Sequence, residues 1–146
     1  MSGRLTLWGA SQLLTSYFGN VTTPPPTFYV ALIREIAPTP YLSGTELDEP
    51  DNTDYARGII ENNLANWSNG STPQEMFNLR AVQFITATTT WGQCRFWALT
   101  NSRVGGNNLI VGSLETPIMV EAGDQVVFSP SDLSVSLGPF FLFEGE

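Results

Sequence analysis

The sequence predicts an all-β protein, a jelly-roll-like antiparallel β-sandwich with a short N-terminal helix. Two observations support this fold class. From residue 55 onward, short stretches with strand character alternate with turn signals such as the glycine-rich "VGGNN" at 104–108, as in sandwiches and jelly rolls. Near the end of the chain, Leu133, Val135 and Leu137 alternate with serines, so a strand there has one apolar face and one polar face.

The first strand is predicted from "TFYVALIREI" at 27–36. Its apolar run is nearly continuous, which is typical of a strand buried on both faces. The single cysteine, Cys94, lies among aromatic residues in "WGQCRFWALT" and is expected to be a buried core residue. The later turn signals place the other strands at 56–61, 64–68, 79–86, 93–99, 108–114, 117–121, 124–129 and 132–137.

A helix is predicted at residues 4–18, because apolar residues recur there at steps of three and four. These residues are Leu7, Ala10, Leu14, Tyr17 and Phe18. Ser2 is the expected N-cap and Gly19-Asn20 the expected stop. The prolines of "TTPPP" at 22–26 then impose an extended link. We therefore expect residues 1–26 to form a helix and a link that are set off from a sandwich domain at 27–137.

The helix is a candidate partner-binding element because it carries Leu7 and Trp8. The sequence leaves two possibilities open: the helix packs on its own sheet, or it packs on a neighbouring subunit.

The second candidate partner-binding segment is the apolar C-terminal tail at 138–146, "GPFFLFEGE". In an extended chain Phe141 and Phe143 share one face, while Phe140 and Leu142 share the other. A strand that is apolar on both faces must be covered on both sides. The tail is therefore predicted to be buried partly by another chain, a sister subunit or the floor of a capsid. The alternative is an internal strand that closes the sandwich.

The composition leaves few catalytic options, and no enzyme activity, cofactor or metal site is predicted. The chain has no histidine and no lysine, which excludes Ser-His-Asp and Cys-His arrangements, Schiff-base chemistry and a phosphate-binding lysine loop. The alternative is a glycosidase that uses two carboxylates, with sugars stacked on Trp67, Trp91 or Trp97.

An acidic loop interrupts the strand pattern after residue 38. It lacks the spacing of an EF-hand calcium site, so the loop is expected to be solvated. Its carboxylates are Glu46, Asp48, Glu49, Asp51 and Asp54.

Neither a nucleic-acid partner nor a membrane partner is expected. The net charge is −8, and the six arginines are spread along the chain, whereas nucleic-acid binding needs clustered cations. No apolar run approaches the ~20 residues of a membrane span. The N-terminal residues also lack the apolar segment of a signal peptide.

Several short motifs, taken in order, resemble a family of small virion proteins of tailed bacteriophages, labelled tail-fibre-like or head-decoration proteins. The motifs cover roughly residues 5–137 and consist of Tyr29 to Leu32, Tyr55 to Arg57, Trp91-Gly92, Gly105 to Gly112, Thr116-Pro117 and Gly123-Asp124. The resemblance implies a jelly-roll-like sandwich and a structural role. Two features depart from the family pattern: a longer acidic loop at 46–54 and the extension after Leu137.

On this basis the chain is predicted to be a capsid cement or decoration protein on the outer capsid surface of a virion, made in the host cytoplasm. The family analogy implies a homotrimer that contacts the major capsid protein. The alternative is a tail-fibre or baseplate adaptor protein with a host-binding role, which binds a host glycan through exposed tryptophans.

Overall fold

The computed structural model describes residues 1–19, 23–39, 41–69 and 74–137. This part of the chain is mostly β with one short helix, which confirms the predicted fold class. The predicted tail at 138–146 lies outside the described residues. In chain order the elements are β1 (Ser2–Leu5), α1 (Leu7–Tyr17), β2 (Thr27–Ile33), β3 (Gly58–Glu61), β4 (Trp67–Ser68), β5 (Glu75–Asn78), β6 (Val82–Gln83), β7 (Gly92–Thr100), β8 (Asn108–Val120), β9 (Val127–Phe128) and β10 (Ser134–Ser136).

Eight strands form one sheet in the order β3-β2-β7-β8-β1-β10-β5-β4, and β6 pairs with β9 in a second sheet. Neighbouring strands are antiparallel except for β1 and β10, which are parallel. The large sheet is curled: Phe28 of β2 and Trp67 of β4 lie near opposite edges, yet their rings meet edge to face with centroids 6.1 Å apart. The jelly-roll arrangement stays a prediction.

The predicted start of the helix at residue 4 was wrong, because the chain begins with strand β1. β1 lies inside the large sheet, between β8 and β10. The helix starts later, at Leu7, and its N-cap is Thr6 rather than Ser2; the Thr6 hydroxyl accepts a hydrogen bond from the Gly9 N–H at 3.0 Å. A helical pattern is local and carries no information about pairing with strands more than a hundred residues away. Such tertiary pairing overrides local propensity.

Several strands also differ from the predicted ones in number and length. β8 is one strand of 13 residues, where two strands were expected. The residue pairing between β7 and β8 shifts between Cys94–Ile118 and Phe96–Ser113, so Pro117 lies in the irregular part of the ladder. Proline has no N–H to donate, and such irregularities are where strands accept it. β5 was missed, and only Val82–Gln83 of the stretch predicted at 79–86 is a strand.

The main core fills the concave side of the curled sheet and continues under β6 and β9. Trp97, Phe84 and Phe128 are among its largest fully buried side chains, and the last two rings meet edge to face at 5.9 Å. A smaller cluster of Ala31, Ile33 and Ala98 lies apart from the main core. Residues 30–33 of β2 are all buried, which confirms that this part of the strand is covered on both faces. Cys94 is also buried, as predicted.

Candidate partner-binding surface

Helix α1 turns its apolar stripe away from the sheet. The helix contacts β8 through Gly9, where an added Cβ atom would lie 2.5 Å from the carbonyl oxygen of Leu109. This close approach leaves the large side chains of the helix on the outside. The exposed apolar side chains of α1 and its C-cap residue, which together we call the α1 face, are Leu7, Leu13, Leu14, Tyr17 and Phe18, each 50–85% exposed.

An open pocket of about 300 Å³ adjoins α1 on the concave side of the sheet; we call it the apolar pocket. Strand register builds part of its lining: Leu99 pairs with Ile110, and Ile110 pairs with Leu5. Among the described residues that line it, Asn62 and Gln74 are the polar ones. Strands contribute eight of its lining residues: Leu5 of β1, Phe28 of β2, Trp67 of β4, Met76 of β5, Leu99 of β7, Leu109 and Ile110 of β8, and Val135 of β10.

The apolar pocket and the α1 face are continuous, because Leu13 belongs to both. Large contiguous apolar patches are rare on monomeric soluble proteins and mark sites of interaction. The pocket also opens beside the end of β10. Leu137 lines it, and the Leu137 N–H donates to the carbonyl oxygen of Gln74 at 3.0 Å.

The predicted partner-binding residues fall into two groups. Leu7 lies on the α1 face and is 55% exposed, whereas Trp8 is partly buried. The other four, Phe140, Phe141, Leu142 and Phe143, lie outside the described residues. A partner-binding role for all six stays a prediction. Sequence reasoning named Leu14, Tyr17 and Phe18 only as helix periodicity, and it missed Leu13 and the pocket entirely.

The acidic loop is only partly solvated: Glu46 and Asp51 are exposed, but the prediction was wrong for Asp48, Glu49 and Asp54, which are bound by other parts of the chain. Glu49 accepts hydrogen bonds from Arg57 Nη2 at 2.7 Å, from Arg57 Nε at 2.9 Å and from the Tyr55 hydroxyl at 2.7 Å. Asp48 accepts from Arg34 Nη2 at 3.0 Å. Each of these acids therefore ties the loop to the sheet.

Asp54 is bound in the same way to the segment before β7. Its oxygens accept from the hydroxyl of Thr89 at 2.6 Å, the N–H of Thr88 at 2.7 Å and Trp91 Nε1 at 3.2 Å. These hydrogen bonds hold the pKa of Asp54 well below its usual value. Burial raises the pKa of Asp48, but hydrogen bonds from the N–H groups of Glu35 and Ile36 and from Arg34 outweigh it, so the net shift is downward.

Arg57 links the acidic loop to two of the motifs found in the sequence. Its Nη1 donates to the Thr100 hydroxyl at 3.0 Å and to the carbonyl oxygens of Ser102 at 2.8 Å and Gly105 at 2.9 Å. Tyr55, two residues earlier, donates to the same carboxylate of Glu49. The Tyr55–Arg57 motif and the glycine turn at Gly105 therefore serve one internal network, which is structural.

The other chemistry-bearing side chains are also internal. Trp67, Trp91 and Trp97 are 8%, 2% and 1% exposed, so none offers a ring face to a sugar, and the expectation that they stack glycans was wrong. Within the described ranges, no group of three or more histidine, cysteine, aspartate or glutamate side chains could hold a metal ion. No helix in those ranges is long and apolar enough to cross a membrane.

A β body, acids bound into internal networks and a continuous apolar surface are typical of a structural protein. Comparison with known families agrees: the chain matches the family described as Podophage GP4 fiber I protein gp80 over residues 5–136. The chain belongs to this family, and it is a tail-fibre-like structural protein of a bacteriophage virion. No curated protein matches it.

Proposed function

We propose that the chain is a structural subunit of a phage tail fibre, or of the adaptor that joins a fibre to the tail, and that it attaches through the α1 face. The family described as a fibre protein supports a fibre position more than the capsid. A capsid cement role, with the major capsid protein as partner, stays a prediction without support from the family.

The observation that carries this proposal is the exposure of the α1 face. Tyr17 and Phe18 are 85% and 77% exposed, although their rings pack on each other edge to face with centroids 5.5 Å apart. Fully burying one such side chain is worth about 1.5–3 kcal/mol. A partner that covers several of them therefore gains a substantial part of its binding free energy from this one helix.

Self-association is part of the proposal. Closed rotational symmetry is the usual arrangement of homo-oligomers, and we propose the homotrimer that the family analogy implies. Light scattering on the purified protein measures the oligomer mass directly.

We propose further that the chain has no catalytic role. A glycosidase needs one carboxylic acid with a raised pKa as its proton donor. In the acidic loop, hydrogen bonds lower the pKa of Glu46, Asp48 and Asp54, and Glu49 is engaged by Arg57 and Tyr55. This bonding supports a structural use of these acids.

Immunogold labelling of virions tests the position. Antibody against the purified protein is expected to decorate the tail or its fibres. Gold confined to the head would overturn the fibre proposal in favour of the cement prediction. Hydrolysis of a bacterial polysaccharide by the purified protein, lost on replacing one acid, would overturn the structural role.

A further inference from the structure

We propose that residues 138–146 of the chain bind in the apolar pocket of the same molecule. The proposal concerns a contact within one chain and does not depend on the fibre role. It rests on where β10 ends, on the chemistry of the pocket and on the chemistry of the nine residues that follow.

The described chain ends at the pocket itself. Ser136 pairs with Glu75, and the next residue, Leu137, donates its N–H to Gln74; both Leu137 and Gln74 line the pocket. Leu137, the last described residue, therefore lies at the edge of the pocket. A Gly-Pro pair favours a turn, and Gly138-Pro139 follows Leu137 directly in the sequence.

The chemistry of the two parts matches. The segment "PFFLF" at 139–143 offers three phenylalanines and a leucine, and the polar "EGE" ends the chain. The pocket is open and about 300 Å³ in volume, and its described lining consists of ten apolar residues and two polar ones. Ligand pockets of this size are mostly apolar with a few polar groups. Aromatic side chains fill such space with large apolar area.

The tether favours the same molecule over a second copy. A segment joined directly to a site has an effective concentration of about a millimolar for that site. Nine extended residues reach roughly 30 Å, so the length suffices to cross an opening that Leu137 already borders. A second copy competes only when the protein concentration approaches the same range.

Binding in the pocket covers only one face of the segment. If Phe141 and Phe143 enter the pocket, then Phe140 and Leu142 face outward, and the reverse holds for the other register. The outward pair then lies beside Leu13, which borders the pocket and belongs to the α1 face. If the pocket takes one face of the segment, the other face is left for a second chain, which agrees with the prediction that another chain buries part of the tail.

Cysteine cross-linking in the full-length protein tests this contact. The pair Leu13→Cys and Phe141→Cys places one thiol on α1 at the pocket and one in the tail. Cys94 gives little background, because it is buried and burial raises the pKa of its thiol to about 11. Under a mild oxidant we expect a disulfide within one molecule, seen by intact mass. Its yield is expected to be unchanged when the protein is diluted tenfold.

Two controls keep the result interpretable. Glu121→Cys with Phe141→Cys is the matched pair, since Glu121 lies past the far end of β8, eleven residues beyond Ile110, or roughly 35 Å along an extended strand. Asn62→Cys with Phe141→Cys samples the pocket from a second lining residue, should the change at Leu13 disturb the helix. Cross-linked dimers whose yield falls on dilution would overturn the proposal, as would yields no higher than that of the Glu121 pair.

Discussion

The Arg57 guanidinium donates two hydrogen bonds to the Glu49 carboxylate, from Nη2 to Oε2 at 2.7 Å and from Nε to Oε1 at 2.9 Å. The Arg57 side chain is 2% exposed and that of Glu49 is 17% exposed. This pair joins the acidic loop to the start of β3, and the other guanidinium nitrogen reaches the turn before β8.

Replacing Arg57 by methionine is expected to lower the free energy of unfolding by about 3–5 kcal/mol, because it leaves the Glu49 carboxylate largely buried without a cation. Urea denaturation followed by tryptophan fluorescence measures the change. The control is Arg95→Met, since Arg95 and Glu35 form an exposed pair at 3.5 Å, where a loss below about 1 kcal/mol is expected. Equal losses in the two variants would contradict the assigned role of Arg57.

Asp54 gives the chain a predictable acid dependence. Its folded-state pKa is lowered from the usual 3.8, so its stabilising effect is fully present above about pH 4 and is lost as the pH falls through the lower folded-state value. Asp54→Asn is therefore expected to melt at a lower temperature than the native protein near pH 7, with the difference shrinking below pH 4. Thermal melts across this range measure it. A difference that is constant with pH, or as large for the exposed Asp51→Asn, would contradict the assignment.

Gly112 is required for the packing of β8 on β7. A Cβ atom there would lie 2.6 Å from Trp97 Nε1 and 3.0 Å from the carbonyl oxygen of Ser2. Gly112→Ala is expected to cost about 1–3 kcal/mol through overpacking, measured by the same denaturation. The neighbouring Ser113→Ala is the control, expected within about 0.5 kcal/mol. An alanine at 112 that leaves stability unchanged would show that the indole has room to move.

The α1 face is expected to matter for assembly and little for stability. Leu14→Asp places a charge on a side chain that is 60% exposed, so the free energy of unfolding is expected to change by about 0.5 kcal/mol or less. Virions assembled with this variant are expected to lack the protein on immunoblots. Val104→Asp, at an 83% exposed position between β7 and β8, is the control and is expected to be retained. Loss of both variants, or of neither, would argue against α1 as the attachment surface.

The sequence predicted those features that depend on a local pattern. Period-two alternation and an unbroken apolar run identified the strand character of Leu133 to Leu137 and the burial of β2. The prediction from sequence failed where contacts between residues far apart in the chain determine the structure. The helix was predicted to start at residue 4, yet Arg4 and Leu5 belong to β1, which pairs with residues Ile110 to Gly112. Glu49 and Asp54 looked like loop acids because their partners Arg57 and Thr89 become neighbours only in the fold. The pocket needs Leu5, Leu99 and Ile110 in one row, and register sets that row.

The number of copies per virion tests the fibre position most directly. Quantitative gel densitometry of purified virions compares the chain with the major capsid protein in the same lane. We expect a handful of copies, since a virion holds few fibres or adaptors. Hundreds of copies, in proportion to the capsid lattice, would contradict the fibre position and restore the capsid cement role.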